Sequence, residues 1–535
     1  MAGLPDLRSP AALLEERIIS PMKHVQRKTE RRISAALRLA LVALLLVLQI
    51  AVVVAMSLVL RQKMYIAYTA LEIVAVICVA RIYIRPGSSS YKPGWIILIM
   101  LLPVVGLILY WLWNGNQVKK KLTLKTLNMP AETAEMQQQS RQAQEVFAAR
   151  WPRWGKLAEY LRRQDMPLFG GTEVTYFATG EEYLEDLLAR MKQAKKFIFL
   201  EYYIASKGQI WDSICDILRQ RAAAGVEVNL ILDDFGSMMT MPPEEIDALR
   251  RDGVWVQMFN PVHHYVNRLY FNYRDHRKIA VIDGDIAYTG GANLADEYAN
   301  LIVRFGYWKD CGLRLSGRGA WGLTRQFMHL WLRMGGELRD PWISYCPRGA
   351  AEGDDFCQPL VDGPDNNPVN TAEDTYQQLI SNADRYIWIT TPYLAIDEPM
   401  IRTLSIAADS GVDVRLMLPG IPDHKFAYMV AQSYFGELLA HGVKIYTYTP
   451  GLLHAKSVVA DGEVGFVGSV NMDYRSFQLH FECGALFTGS AVAAVEEDMR
   501  RTMEKSRQVS LEAWKKRKWY VKLLGAVLRP FAMWM

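Results

Sequence analysis

Two stretches of this 535-residue chain repeat one set of chemistry-bearing residues at a fixed offset. The segment DHRKIAVIDGDIAYTGGAN carries His276, Lys278 and Asp283, then Gly290, Gly291 and Asn293. The segment LHAKSVVADGEVGFVGSVN carries His454, Lys456 and Asp461, then Gly468, Ser469 and Asn471. Each position in the second set lies 178 residues after its counterpart in the first. With nine histidines in the chain, a twofold His-x-Lys-x4-Asp followed each time by Gly-x-x-Asn is a strong signal of a duplicated unit.

The flanks repeat as well. The aromatic and β-branched run Phe197–Tyr203 is matched by Tyr386–Tyr393. Gly225 with the strand Val226–Leu232 is matched by Gly411 with Val412–Leu418, and Gly253 with Val254–Phe259 by Gly442 with Val443–Tyr448. Periodic helix patterns over Glu181–Lys195 and Ile214–Ala223 separate the strands. Helix, glycine and apolar strand in alternation predict βαβ units around a parallel or mixed sheet. The period is far longer than that of a solenoid, so the chain holds a duplicated domain. The predicted fold is α/β, with two lobes over 166–345 and 346–535, each a mixed sheet flanked by helices, packed about a pseudo-two-fold axis. Each lobe would supply half of one site.

The local pattern explains the spacing. His276 and Lys278, like His454 and Lys456, are two apart on a predicted strand and point to one face. Asp-Gly at 283–284 and 461–462 is a turn signal that joins this strand to the next as a hairpin. Asp283 and Asp461 therefore take structural or hydrogen-bonding roles within the candidate catalytic motif, not a role in proton transfer. Gly-Gly or Gly-Ser after the second strand lets backbone approach a ligand closely. Phosphodiester exchange needs a nucleophile, a proton donor for the leaving alkoxide, and cations around the non-bridging oxygens. One imidazole can attack phosphorus and the other can protonate the leaving group. Lys278 and Lys456 neutralise charge, with Asn293 and Asn471 as further donors. Such a symmetric pair needs neither metal nor cofactor. Asp310-Cys311-Gly312 and Glu482-Cys483-Gly484 also align, 172 residues apart, and a carboxylate there can fix a histidine tautomer. His480 shares the strand face of Glu482 and can reach the site, while His263 and His264 either line a pocket or are solvated loop residues.

The first quarter of the chain adds three apolar blocks. Leu39–Leu60 is 22 residues without a charge, and Trp95–Trp113 is 19, interrupted by Pro103. Each meets the roughly 20-residue requirement for a membrane span. Met64–Ala80 contains Glu72; Arg81 can snorkel and Ile82–Ile84 can extend it to residue 84, which makes it a third span or a buried soluble helix. The predicted organisation is a basic segment over 1–38, a membrane region over 39–116 and a helical connector over 117–165. Lys23, Arg27, Lys28, Arg31, Arg32 and Arg38 place the N-terminus on the cytoplasmic side, and Lys119, Lys120, Lys121 and Lys125 place the lobes there too. Three full crossings cannot satisfy both. Six cysteines show no zinc spacing. At the other end, WKKRK (514–518) and the aromatic-aliphatic stretch after it read as a basic amphipathic helix, either lying on an anionic leaflet or docked on the second lobe.

The two motif blocks resemble those of the phospholipase D superfamily. NYRDHRKI (272–279), NMDYRSFQLHFE (471–482) and KPGWIILIMLLPVVGLILYWLWNGN (92–116) resemble the bacterial cardiolipin synthases of that superfamily. The likeness covers roughly residues 64–535. It implies a multi-pass enzyme of the bacterial cell membrane that moves a phosphatidyl group from one phosphatidylglycerol to another, giving cardiolipin and glycerol. It also implies His276 as nucleophile and His454 as general acid, or the reverse, with Asp310 and Glu482 as orienting acids. The family has two N-terminal membrane helices, so Leu39–Leu60 is an addition. A rival with the same first half-reaction is a membrane phospholipase D that yields phosphatidic acid. A nuclease fits poorly, because the net charge is only +5 and no strongly basic soluble region exists. No nucleic-acid partner is expected, and the oligomeric state, including a homo-oligomer, stays open.

Overall fold

The computed structural model describes residues 64–84, 92–113, 132–261, 273–351, 353–366 and 369–534. Leu39–Leu60, both basic clusters, and His263 and His264 lie outside the described residues. Those described fall into two compact units: residues 64–84 with 95–113, and the body that holds both motif blocks.

In the first unit, Met64–Ile84 is one 21-residue helix. The block Trp95–Trp113 departs from the expected single span. It forms two helices, Lys92–Leu101 and Pro103–Trp113, folded back on each other at Leu102. The Trp95 and Tyr110 rings meet edge to face at 5.4 Å, whereas a straight helix would hold them about 22 Å apart. Pro103 starts the second helix where its missing N–H costs no bond. Gly106 permits the fold-back, since a Cβ there would stand 2.6 Å from Ile99 Cα. Among the described residues, no helix is long and apolar enough to cross a membrane.

The larger body is built on one continuous mixed sheet. The first half supplies β1 (Phe169–Phe177), β2 (Phe197–Tyr202), β3 (Glu227–Asp233), β4 (Trp255–Phe259), β5 (Lys278–Ile282), β6 (Ile286–Gly290) and β7 (Gly312–Gly317). The second supplies β8 (Asp355–Asp362), β9 (Tyr386–Thr390), β10 (Asp413–Pro419), β11 (Lys444–Tyr448), β12 (Ser457–Ala460), β13 (Val464–Gly468), β14 (His480–Phe487) and β15 (Ser506–Val509). Their order is β15-β11-β10-β9-β12-β13-β14-β8-β1-β7-β6-β5-β2-β3-β4. The sequence read from β8 outward repeats the one read from β1 outward, so the duplication is also a structural one. The two halves join where β1 and β8 pair antiparallel. Within each half three strands run parallel, β2-β3-β4 and β9-β10-β11, and the inner ones antiparallel; the second half adds β15, antiparallel to β11, at its edge.

The helices feeding the parallel strands end as their glycines require. Gly225 (φ +87°) and Gly411 (φ +95°) take the left-handed conformation that closes a helix. Residues 134–163, read as connector, form two helices whose Phe147, Trp154, Leu157 and Leu161 pack into the core with Leu360, Tyr376 and Ile387 of the second half. All six cysteines are free.

Asp283 and Asp461 show what the last position of each motif does locally. Both sit at positive φ, +54° and +55°, in the three-residue loops joining β5 to β6 and β12 to β13. The Asp283 carboxylate accepts from the backbone N–H groups of Lys195, Lys196 and Phe197. Asp461 accepts from those of Asp384, Arg385 and Tyr386 and from Arg153 Nη1. Each clamps the start of the neighbouring parallel strand. Burial opposes ionisation of Asp461, but these donors outweigh it and hold its pKa below the ordinary range. Its contribution to stability is therefore present above the unfolded aspartate pKa and lost as pH falls through the folded value. Asp461→Ala strands three N–H donors and is expected to cost about 3 kcal/mol. Thermal melts of the two proteins should converge in acid.

Candidate active site

The motif residues meet at the carboxyl ends of the parallel strands, the usual ligand edge of such sheets. Lys278 opens β5 opposite Tyr202 at the end of β2. Two short ribbons cross between the halves and present the histidines. Arg274–Asp275 pairs in parallel with His480–Phe481, and His276 N–H donates to Phe481 O at 2.8 Å. Gly451–Leu453 pairs in parallel with Tyr307–Lys309, and His454 N–H donates to Lys309 O at 2.7 Å. Each histidine thus leaves a strand that the opposite half holds in register.

The acids complete the exchange. His276 Nδ1 lies 2.9 Å and 3.0 Å from the two Glu482 carboxylate oxygens. His454 Nδ1 lies 2.7 Å from Asp310 Oδ2. With Nδ1–H directed to an acid of the other half, His276 keeps its Nε2 lone pair for a ligand, whereas His454 Nε2 has Lys456 Nζ beside it at 3.0 Å. Lys278 and Lys456 are fully buried. Lys278 Nζ donates to His276 O and stands over the Tyr203 ring. Lys456 Nζ donates to His454 O and lies 2.8–3.0 Å from the ring nitrogens of His454.

The halves are not identical. Gly291 has no side chain because a Cβ would stand 2.1 Å from Asp310 Oδ1. Its counterpart Ser469 instead donates to the longer Glu482, whose other oxygen accepts from Ser476 Oγ at 2.7 Å. The Asn293 side chain accepts from Ile204 N–H and donates to Tyr298 OH, whereas Asn471 Oδ1 is buried without a hydrogen-bond partner.

Electrostatics separate the two histidines. Burial, then Lys278 and Lys456, hold His276 well below the ordinary histidine range. Burial and Lys456 also lower His454, but Asp310 pulls it back up. Burial pushes Lys278 down to about 7, with Glu482 opposing and Lys456 adding to the fall. An anion beside the two amines would raise both pKa values and favour their charged forms.

Several lining residues had no motif to announce them. The Tyr203 ring packs edge-on to His276, while Tyr298 and Trp308 flank His454 at 5.5 Å and 5.3 Å. Tyr203 ends the apolar run that begins at Phe197, whereas Tyr298, after Asp296 and Glu297 in a 3-10 turn, and Trp308 carry no local signal. The His480 ring lies 5.5 Å from His276, and its Nε2 accepts from Arg475 Nε at 3.3 Å. His276, His480 and Glu482 bring ligand atoms within 4.8 Å of one another. Ser469, Ser476 and His276 already engage the Glu482 oxygens and Arg475 engages His480 Nε2, while His480 Nδ1 is buried 3.6 Å from Glu482 without a hydrogen-bond partner.

Fold and site define a phospholipase D-like enzyme, with one His-x-Lys pair from each half converging on a single centre. The family model described as "Cardiolipin synthase, PLD-like domain" matches residues 187–302 and 376–503, and one described as "Phospholipase_D-nuclease N-terminal" matches 73–114. The chain is 32% identical to a cardiolipin synthase of Halalkalibacterium halodurans over 84% of this chain and 90% of that one. It is 39% identical to an uncharacterized protein of Streptococcus mutans over 70% of this chain and 82% of that one. The crystal structure of phosphatidylserine synthase from Haemophilus influenzae shares the fold with a TM-score of 0.54, at 15% identity, over 70% of this chain and 97% of that one. The chain belongs to the cardiolipin synthase family and is a phosphatidyltransferase.

Proposed function

We propose that this enzyme makes cardiolipin from two molecules of phosphatidylglycerol through a phosphohistidine. The observation that carries the proposal is the reciprocal pairing of His276 with Glu482 and His454 with Asp310, which leaves His276 Nε2 open for phosphorus and sets His454 with Lys456 at its Nε2 as the second imidazole of the site. His276, the histidine held more firmly neutral, attacks phosphorus through Nε2. The bond from phosphorus to the headgroup glycerol oxygen breaks, and protonated His454 gives its proton to that oxygen, releasing glycerol. A hydroxyl of a second phosphatidylglycerol then loses its proton to His454 and attacks phosphorus, breaking the P–N bond and freeing His276. Lys278 and Lys456 carry the charge of the equatorial oxygens in both steps.

Vesicles of phosphatidylglycerol without added metal or nucleotide should yield cardiolipin and glycerol in equal amounts by mass spectrometry. Phosphatidic acid as the sole product would instead identify a hydrolase.

The N-terminal unit is the membrane attachment in this reading, in a multi-pass enzyme of the bacterial cell membrane. Met64–Ile84 exposes Ile73, Val74, Val76, Ile77, Tyr83 and Ile84, an apolar surface that water does not favour. Glu72 and Arg81 make it a poor span on its own, and the other apolar block, Leu39–Leu60, lies outside the described residues. The folded-back Trp95–Trp113 hairpin has arms of 10 and 11 residues, about half the hydrocarbon thickness each, and enters and leaves by one face. A re-entrant Trp95–Trp113 block removes one of the three crossings read from the sequence, and an even number lets both basic clusters be cytoplasmic. Single cysteines before residue 39 and after residue 116 should then react with an impermeant reagent from the same side. Reaction from opposite sides would contradict the hairpin.

A further inference from the structure

The catalytic body carries its own apolar rim beside the site. The loop after Asn300 exposes Leu301, Ile302 and Val303, the last at 80%. It runs straight into the ribbon Tyr307–Lys309, paired with Gly451–Leu453, which ends at His454. The loop after β10 exposes Ile421 and is tied to the same ribbon by Ile421 N–H donating to Gly451 O at 3.4 Å. Next to it Tyr393 OH donates to Asp423 at 2.5 Å, and Phe426, at 63% exposed, begins the helix Lys425–Ala440.

The C-terminal segment extends this rim. One side of it is docked: Trp514 Nε1 and Arg517 donate to Gln432 O, and Arg529 lies over the Tyr434 ring. The helix Trp519–Leu528 crosses Lys425–Ala440 with Gly525 against Met429 and Ser433. Arg529, four residues on, meets Tyr434 and Glu437. The two helices therefore run in the same direction. The opposite side presents Trp519 (74% exposed), Tyr520, Leu523, Leu524 and Val527. Beyond Glu512 the chain holds six basic residues and no acid. Lys515, Lys516, Lys518 and Lys522 are exposed, and none forms an ion pair among the described residues. Helices with aromatic and aliphatic residues on one side and lysines at the margin lie in the plane of anionic membranes.

We propose that Leu301–Val303, Ile421, Phe426 and the outer side of Trp519–Leu528 form one surface that docks the catalytic body on an anionic bilayer, with the His454 side of the site facing the lipid headgroups. The docked orientation lets a headgroup reach the histidines while its acyl chains stay in the leaflet.

The test places an environment-sensitive fluorophore on Val303→Cys or Leu523→Cys in the full chain, with the half-buried Cys78 and Cys346 changed to serine. Ile406→Cys is the reference, because Ile406 is exposed near the end of a helix that leads to the amino end of β10. In nanodiscs containing phosphatidylglycerol, labels at 303 and 523 should shift to shorter wavelength and lose most of their emission to nitroxide lipids labelled near the headgroup, while 406 stays in water. Nanodiscs of phosphatidylcholine, or the Lys518→Glu/Lys522→Glu variant, should abolish both changes. Labels that behave like 406, or equally in both lipids, would overturn the proposal. Shielding that appears before lipid is added and grows with protein concentration would overturn it in favour of a second copy. None of these readouts depends on turnover, so they stand apart from the reaction proposed above.

Discussion

Replacing His276 by alanine is expected to lower phosphatidyl transfer by about four orders of magnitude or more. Its imidazole is the one group at the site both neutral and free at Nε2, since Nδ1 is committed to Glu482 and burial with two neighbouring lysines opposes protonation. No nearby side chain can take its place: the lysines are turned to backbone carbonyls, and His480 accepts from Arg475. His454→Ala should be nearly as severe, because it removes the proton donor of the first step and the base of the second. The loss must appear in the rate and not in folding. Both histidines sit at the rim of the core, and thermal melts of the variants should match the parent.

Asp310→Asn should cost about a thousandfold or more, the range seen when the acid behind a catalytic histidine is neutralised. The amide preserves shape but removes the charge that offsets burial and Lys456 at His454. The sign follows directly. Asp310 raises the pKa of His454, so its loss lowers that pKa further, and the protonated form needed for leaving-group departure disappears at lower pH. The alkaline limb of the pH–rate profile should move toward acid. Glu482→Gln should act on the other histidine, disturbing formation of the adduct. A uniform loss without movement of the limb in Asp310→Asn would separate Asp310 from His454.

How far the sequence carried these conclusions depends on whether the information was local. The offset of 178 residues, the Asp-Gly turns and the glycines that close helices are properties of short segments, and the structure places them where the pattern predicts. The acid roles were half legible. Asp310 and Glu482 align between the repeats, but nothing local says that each serves the histidine of the other half. That exchange depends on the two crossing ribbons, 274–275 with 480–481 and 307–309 with 451–453, which join residues far apart in the chain. Tyr203, Tyr298 and Trp308 stayed hidden for the same reason: an aromatic after a strand, in a short turn or within a ribbon reads as core until its neighbour from another segment is known. The Trp95–Trp113 block misled differently. Its hydropathy suits one span, and only the chain reversal after Leu102 separates it into two arms.

The central claim is that one histidine from each half acts on a single phosphorus, with His276 taking the phosphatidyl group. Acid quench of the enzyme during turnover with radiolabelled phosphatidylglycerol, followed by peptide mapping, tests it most directly. A phosphatidyl adduct on the peptide containing His276, absent in His276→Ala, is the predicted result. Label on neither histidine while cardiolipin is still formed would contradict the account.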